Sequence, residues 1–246
     1  MKIKKGIPLI DQHDKNGFYG NRKFGGNFVA ETARKPIEDL SKLFEKLRKS
    51  KKFLKKRDYY FKHYLGGETP FFPLKNLTKH LGGAQIWCKD VSAINGDAHK
   101  AYHATVNALI CKESGKKFIA GDTGAGMFGK NLALAAKKMN LSAKIFMGTK
   151  DIERQSPNVK FMREAGAEVV PVDSGSKTLV DAVSECMRHY VSNCDNTHLA
   201  VGSAIGANVF MKICAWSTSQ ISRELKRQLI KEFGKIPKLK LVNVIG

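Results

Sequence analysis

Long apolar runs are missing from this chain. Nowhere among its 246 residues is there the stretch of roughly eighteen apolar residues that a membrane span needs. Met1 to Lys15 is polar and lacks the apolar core of a signal peptide, so a cytoplasmic protein is expected. Cysteine is sparse: Cys88, Cys111, Cys186, Cys194 and Cys214 are odd in number, widely spaced and contain no C-x-x-C pair. That pattern argues against a disulfide framework and a structural zinc site, and the five read as reduced, partly buried thiols. No His/Cys/Asp cluster has metal-ligand spacing, so no metal is expected. There is no Gly-x-Ser-x-Gly elbow, no internal repeat and no low-complexity tract.

Acid is also scarce. Asp and Glu total 22 against 43 Lys and Arg, a formal charge of +21, which creates a field attractive to polyanions. The excess is mostly lysine, gathered in Lys42 to Lys62, Lys112 to Lys117 and Lys226 to Lys240. Because aromatics do not interleave with these runs as stacking platforms, they read as solvated helix faces, and a nucleic-acid partner is not expected. With 42% hydrophobic and 26% charged residues, the composition is that of a folded globular protein able to bury a substantial core.

What is present is an alternation of periods. Lys35 to Lys56 carries apolar residues at Ile37, Leu40, Leu43, Phe44, Leu47, Phe53 and Leu54, a helical spacing with lysines on the other face. Residues 1–65 therefore read as an arm with an amphipathic helix. After the Gly66-Gly67-Glu68-Thr69-Pro70 break, apolar runs alternate with helical stretches: Ile86 to Lys89, Ala101 to Glu113, Lys117 to Gly121, Lys130 to Met139, Ala143 to Gly148, Asn158 to Ala165, Ala167 to Val172, Leu179 to Val191, His198 to Ser203, Ala215 to Phe233, and Leu239 to Gly246. Such order predicts βαβ units and a mostly parallel sheet, an α/β fold. Ser156 followed by Pro157 suggests an N-cap and first turn, and Gly166 a left-handed helix end. Leu179, Val183, Met187 and Tyr190 or Val191 mark one buried helix face.

Two places look chemical. Lys100 opens a predicted helix after a loop containing Gly96, with His99 beside it, and a helix start welcomes anionic groups through its free N–H donors and its dipole. Asp122-Thr123-Gly124-Ala125-Gly126 lies between a predicted strand and a predicted helix, a turn whose backbone amides can seat a carboxylate or phosphate. His103, one helical turn after Lys100, is a weaker candidate for a pocket wall.

Residues 150–175, KDIERQSPNVKFMREAGAEVVPVDSG, closely resemble the tryptophan synthase β-subunit family. Phe24 to Thr32 (FGGNFVAET), Asp97 to Lys100 (DAHK), Asp122 to Gly126 (DTGAG) and Gly202 to Gly206 (GSAIG) occur in that family's order and spacing. The resemblance implies a fold type II pyridoxal phosphate enzyme with Rossmann-like parallel sheets flanked by helices and an incomplete second domain. It assigns residues 66–246 to the cofactor-binding region, with a mobile closing subdomain at about 115–202. Lys100 is then the lysine that carries pyridoxal 5'-phosphate and takes the serine Cα proton, and Asp122 the catalytic acid. His99, Gly202 and Ser203 are implied to contact the cofactor, and Thr123, Gly124, Ala125 and Gly126 the substrate carboxylate. The implied reaction replaces the hydroxyl of L-serine with indole, in a homodimer partnered by an α subunit. The alternative is a catalytically impaired remnant, or a partner-binding module of the same family. Dehydratases and cysteine synthases share the cofactor logic but lack the ERQSPNV block.

Departures fall on the chemistry. The family has glutamate where this chain has Asp122, shortening the reach by roughly 1.5 Å, and a shift of that order can cost about a hundredfold in rate. Met127 and Phe128 stand where the family has two polar residues. Asp97 replaces a glycine, and an acid three residues ahead of Lys100 is expected to favour its ammonium form. Ala207 to Phe210 replaces a proline-rich run. Arg154 matches an arginine that pairs in the family's closed state, and Val180 replaces an α-contacting lysine. The family's phosphate-holding loop would follow the strand expected at Leu239 to Ile245.

Overall fold

A computed structural model describes residue 4 and residues 6–237; the strand expected at Leu239 to Ile245 lies outside the described residues. The chain runs in order through β1 (Phe18–Tyr19), β2 (Phe24–Gly25), α1 (Glu31–Leu47), α2 (Lys51–His63), β3 (Phe71–Pro73), α3 (Lys75–Leu81), β4 (Trp87–Lys89), α4 (Lys100–Glu113), β5 (Phe118–Asp122), α5 (Met127–Met139), β6 (Ser142–Gly148), α6 (Thr149–Arg154), α7 (Ser156–Glu164), β7 (Glu168–Val172), α8 (Leu179–Asn193), β8 (Thr197–Ala200) and α9 (Asn208–Phe233). Among these residues no helix is long and apolar enough to cross a membrane.

Among the described residues, the parallel sheet expected from the alternation is formed by four strands in the order β7-β6-β5-β8. Its register sets Gly121 beside Ala200 and Asp122 beside Phe146, so the carboxyl ends of β5 and β8 stand side by side. The central strands are mostly apolar and buried from Ile119 to Gly121 and from Ile145 to Gly148 because helices cover them. Tyr190 and Cys186 of α8, Leu132 and Met139 of α5, and Tyr102 and Leu109 of α4 all fall within one contiguous core. That core also takes in Ile37, Leu40 and Phe44 of α1 and Phe53 and Phe61 of α2.

Several boundaries differ from the sequence expectation. The single amphipathic helix over Lys35 to Lys56 is two, because Ser50 turns the chain and its hydroxyl accepts from the Phe53 amide at 3.4 Å, a local cap that competes with helix continuation. The strand at Ile86 to Lys89 does not join the parallel sheet; β4 pairs antiparallel with β3, too short a run to be seen by periodicity. Ser156 is the first helical residue of α7 and not its cap, the cap position being Gln155. Gly166 does take the left-handed conformation, at φ +90°. On α8 the buried residues are Ala182, Cys186 and Tyr190, so the inward face is turned by about one residue from the one expected, and Leu179 is 42% exposed. α9 begins at Asn208 and not near Ala215.

Candidate active site

Two strand-to-helix junctions build the site. At the first, the backbone turns at Gly96 with φ +104°, a left-handed value that favours glycine, and a Cβ there would collide with the Asn131 side chain. The Asn131 amide donates to the Gly96 carbonyl at 3.1 Å, which ties this loop to α5. Lys100 follows as the first residue of α4, with His99 at the cap position. The Lys100 amine, part-buried, donates to the Gly202 carbonyl at 3.0 Å, which brings GSAIG beside the lysine. Gly202 and Ser203 are both half-buried.

The Asp97 carboxylate has a partner other than Lys100. It is engaged by the Lys130 ammonium at 2.5 Å, and Lys130 in turn lies 5.0 Å from the Phe161 ring centroid. The neighbour in sequence is therefore neutralised by a cation 33 residues away.

At the second junction, Asp122 ends β5 and is 8% exposed. Burial pushes its carboxyl up to about 6, although the nearby Lys100 charge pulls the other way. Thr123 is buried, its amide donating to the Phe146 carbonyl at 3.0 Å and its hydroxyl accepting from the Gly129 amide at 3.3 Å. Asn158 of α7 donates to the Ala125 carbonyl at 2.9 Å. Leu179, at the start of α8, lies against Gly124. Gly126 sits at the α5 cap position with φ +84° and no side-chain cap; with the Gly129 amide taken by Thr123, the Met127 and Phe128 amides at the start of α5 remain available to an anion.

Phe128 and His103 form the wall between the junctions. Their rings stack at 5.1 Å with an 18° interplanar angle, and a Cβ on Gly202 would meet the Phe128 ring at 2.7 Å. His103 is 1% exposed and its Nε2 has no hydrogen-bond partner. Burial foremost, then the Lys100 charge, pushes it down to about 3, so it is a neutral imidazole throughout the physiological range. Cys214 of α9 comes within 4.0 Å of its Nδ1. His99, half-buried, is likewise lowered by burial and by Lys100.

The structure thus brings Lys100, His99, Asp122, Thr123, Gly202 and Ser203 to one end of the parallel sheet, with Gly124, Ala125 and Gly126 on its rim. This is where α/β folds bind ligands. His103 belongs to the same site, and its i+3 spacing from Lys100 was the available signal. The Asp97–Lys130 pair and the Cys214 contact had none, since both are long-range. Arg154 is 69% exposed at its side chain and faces Asp151 at 3.9 Å; it and Val180, 72% exposed, lie outside the cluster.

A half-buried amine resting on a backbone carbonyl, an orphaned imidazole nitrogen and amides free at a helix start fit the aldehyde and ring end of pyridoxal phosphate. Residues 63–234 match the model of the family described as pyridoxal-phosphate dependent enzyme. The chain belongs to this family. It is 38% identical over 231 residues to the tryptophan synthase β chains of Acinetobacter calcoaceticus and Acinetobacter baylyi, a match covering 94% of this chain and 57% of theirs. The chain therefore spans little more than half the length of these curated relatives. Among solved structures, the Escherichia coli diaminopropionate ammonia lyase in complex with D-serine superposes with a TM-score of 0.62 at 19% identity, covering 87% of this chain and 54% of that one. A pyridoxal 5'-phosphate-dependent aspartate racemase gives 0.56 at 19% identity, covering 71% and 50%. At that identity these likenesses show the fold alone, which is that of fold type II pyridoxal phosphate enzymes, as the resemblance implied.

Proposed function

We propose that the chain provides the Lys100 half of a tryptophan synthase β-type active site, which replaces the hydroxyl of L-serine with indole. The observation that carries this reading is the convergence of Lys100, Asp122 and Gly202 within one partly buried site. Pyridoxal phosphate, when bound, supplies an electron sink for the pair left behind as the serine Cα proton departs. Lys100, His99, Gly202 and Ser203 would hold it, and Lys100 Nζ, released from the Gly202 carbonyl, is the group that accepts the Cα proton. Thr123 and the amides of Gly124, Ala125 and Gly126 orient the substrate carboxylate at the start of α5. Asp122, lifted to about 6, keeps a protonated fraction of roughly a tenth at pH 7, and in that form it delivers its proton to the leaving hydroxyl as a general acid. Phe128 and His103 exclude water from one side.

The same reading assigns indole as second substrate, a homodimer and an α subunit as assembly partners, the cytoplasm as compartment, and residues of about 115–202 as the unit that closes on the site. It is supported by the 38% identity to tryptophan synthase β chains. One observation favours the alternative of a catalytically impaired remnant: the Phe128 ring packs against Gly202 where the family resemblance implies a polar side chain.

Borohydride trapping after addition of pyridoxal phosphate, followed by peptide mass spectrometry, tests the proposal. The expected result is one adduct, on the Lys100 peptide, absent from Lys100→Ala; an adduct spread over surface lysines, or none, overturns it. Capture at Lys100 without turnover of L-serine and indole would select the impaired form.

A further inference from the structure

We propose that the outward face of α2 is a binding surface for single-stranded nucleic acid, in addition to the site at the sheet end. Between residues 46 and 67 the chain has nine Lys and Arg and a single acid, Asp58, whose carboxylate is held by Arg57 at 2.6 Å. The helix turns this composition into a one-sided surface. Phe53, Arg57 and Phe61 are buried against the core, while Lys51, Lys52, Lys55, Tyr59, Lys62 and His63 are exposed. The spacing of Lys52, Lys55, Tyr59 and Lys62 by three, four and three residues keeps them on one face. None of the four exposed lysines is in an ion pair among the described residues.

Two features distinguish this stripe from an ordinary solvated face. Tyr59 is 60% exposed in the middle of the lysines, and the His63 ring lies 4.8 Å from it at a 42° tilt, so an exposed aromatic ring is set among cations. The sequence reading found no aromatics interleaved with the basic run; folding places one at its centre. The field also continues sideways, because the Lys138 ammonium reaches to 5.9 Å from the Tyr64 ring, which brings the lysine-rich end of α5 alongside. Lysines tracking a phosphate backbone with an aromatic on which a base stacks are the parts of sequence-tolerant single-strand recognition. α2 is about 20 Å long, enough for several extended nucleotides. An anionic membrane fits less well, since Phe53 and Phe61 of α2 are buried in the core and the exposed face carries lysines with no apolar row to enter the acyl layer.

Fluorescence anisotropy with labelled single-stranded RNA and DNA oligonucleotides of about ten nucleotides, using the full chain, tests this. Binding is expected, with a log–log salt slope of roughly −2 to −3 if about four lysines meet phosphates. Tyr59→Ala should weaken it about fivefold or more. A triple variant, Lys52→Glu with Lys55→Glu and Lys62→Glu, should weaken it by at least about tenfold and flatten the slope. All four positions are exposed, so thermal melting of the variants should match the parent. Absence of salt-sensitive binding, equal binding by both variants, or binding only to phosphatidylserine vesicles would overturn the proposal. Preference between RNA and DNA arms tells which strand is the partner. None of these readouts depends on pyridoxal phosphate, so this inference and the catalytic reading stand or fall separately.

Discussion

Burial lifts the Asp122 carboxyl to about 6, above its unfolded value, and this has a cost in stability whose sign is fixed. Between about pH 4 and 6 the folded chain holds a proton that the unfolded chain releases, so this group makes the fold less stable as pH rises through that window. Asp122→Asn should therefore be more stable than the parent by about 2 to 3 kcal/mol above neutral pH and nearly equal to it near pH 4. Urea denaturation at the two pH values checks this, and a difference independent of pH would show that the carboxyl is not perturbed. The same residue illustrates what was legible. Its place at the end of a strand, before a glycine-rich turn, follows from the apolar run Phe118 to Gly121 and the glycines after it. The cation that occupies Asp97 did not, because Lys130 reaches it from another helix. Nor did the isolation of the His103 Nε2, which arises when α4, α9 and Phe128 close around it.

At the scale of elements, α9 is held to the rest of the chain by two charge clusters, one buried and one half-buried. In one, the Lys89 ammonium of β4 donates to the Thr69 carbonyl at 2.7 Å, to Glu224 at 3.0 Å and to Gln228 at 2.9 Å, with Glu224 only 2% exposed. In the other, Lys212 contacts Glu45 and lies 3.4 Å from Asp11, while Arg48 bridges Asp11 and Glu45 at 2.6 Å each. Removing one partner of such a buried pair leaves the other uncompensated. Lys89→Met is expected to cost about 3 to 5 kcal/mol and to loosen the β3–β4 ladder from α9, read as a lowered denaturation midpoint and faster amide exchange at Phe72 and Cys88. Local pattern explains why elements were easier to foresee than their joints. The alternation of apolar runs and helical spacing is a property of each segment, and it located β5, α5, β6, α7, β7, α8 and β8. The break at Ser50, the early start of α9 and the antiparallel pairing of β4 depend on what each segment meets in space.

Over the whole molecule, two buried imidazoles make the fold sensitive to acid. His103 and His198 are both pushed down to about 3, by burial first, and neither can take a proton without disrupting its surroundings. His198 also bonds to Asn107 at 2.9 Å. Their folded values lie below the unfolded one near 6.5, so stability is present above about pH 6.5 and is lost as pH falls toward 3. Asp122 partly offsets this below pH 6, because it favours the fold as it takes up its proton. Together these three groups should make unfolding near pH 5 take up about one proton net, and His198→Gln should lower the total uptake by about one proton. The pH dependence of the urea midpoint measures this; a curve unchanged by the substitution would refute it.

The four-stranded sheet ends on one side at β7, whose fourth residue is Pro171. A proline has no amide hydrogen to offer an incoming strand, and Glu168 sets a charge on the same margin. Sheet growth by recruitment of another polypeptide is therefore hindered at that border by a single ring, a safeguard against fibrous self-association that requires no covering element.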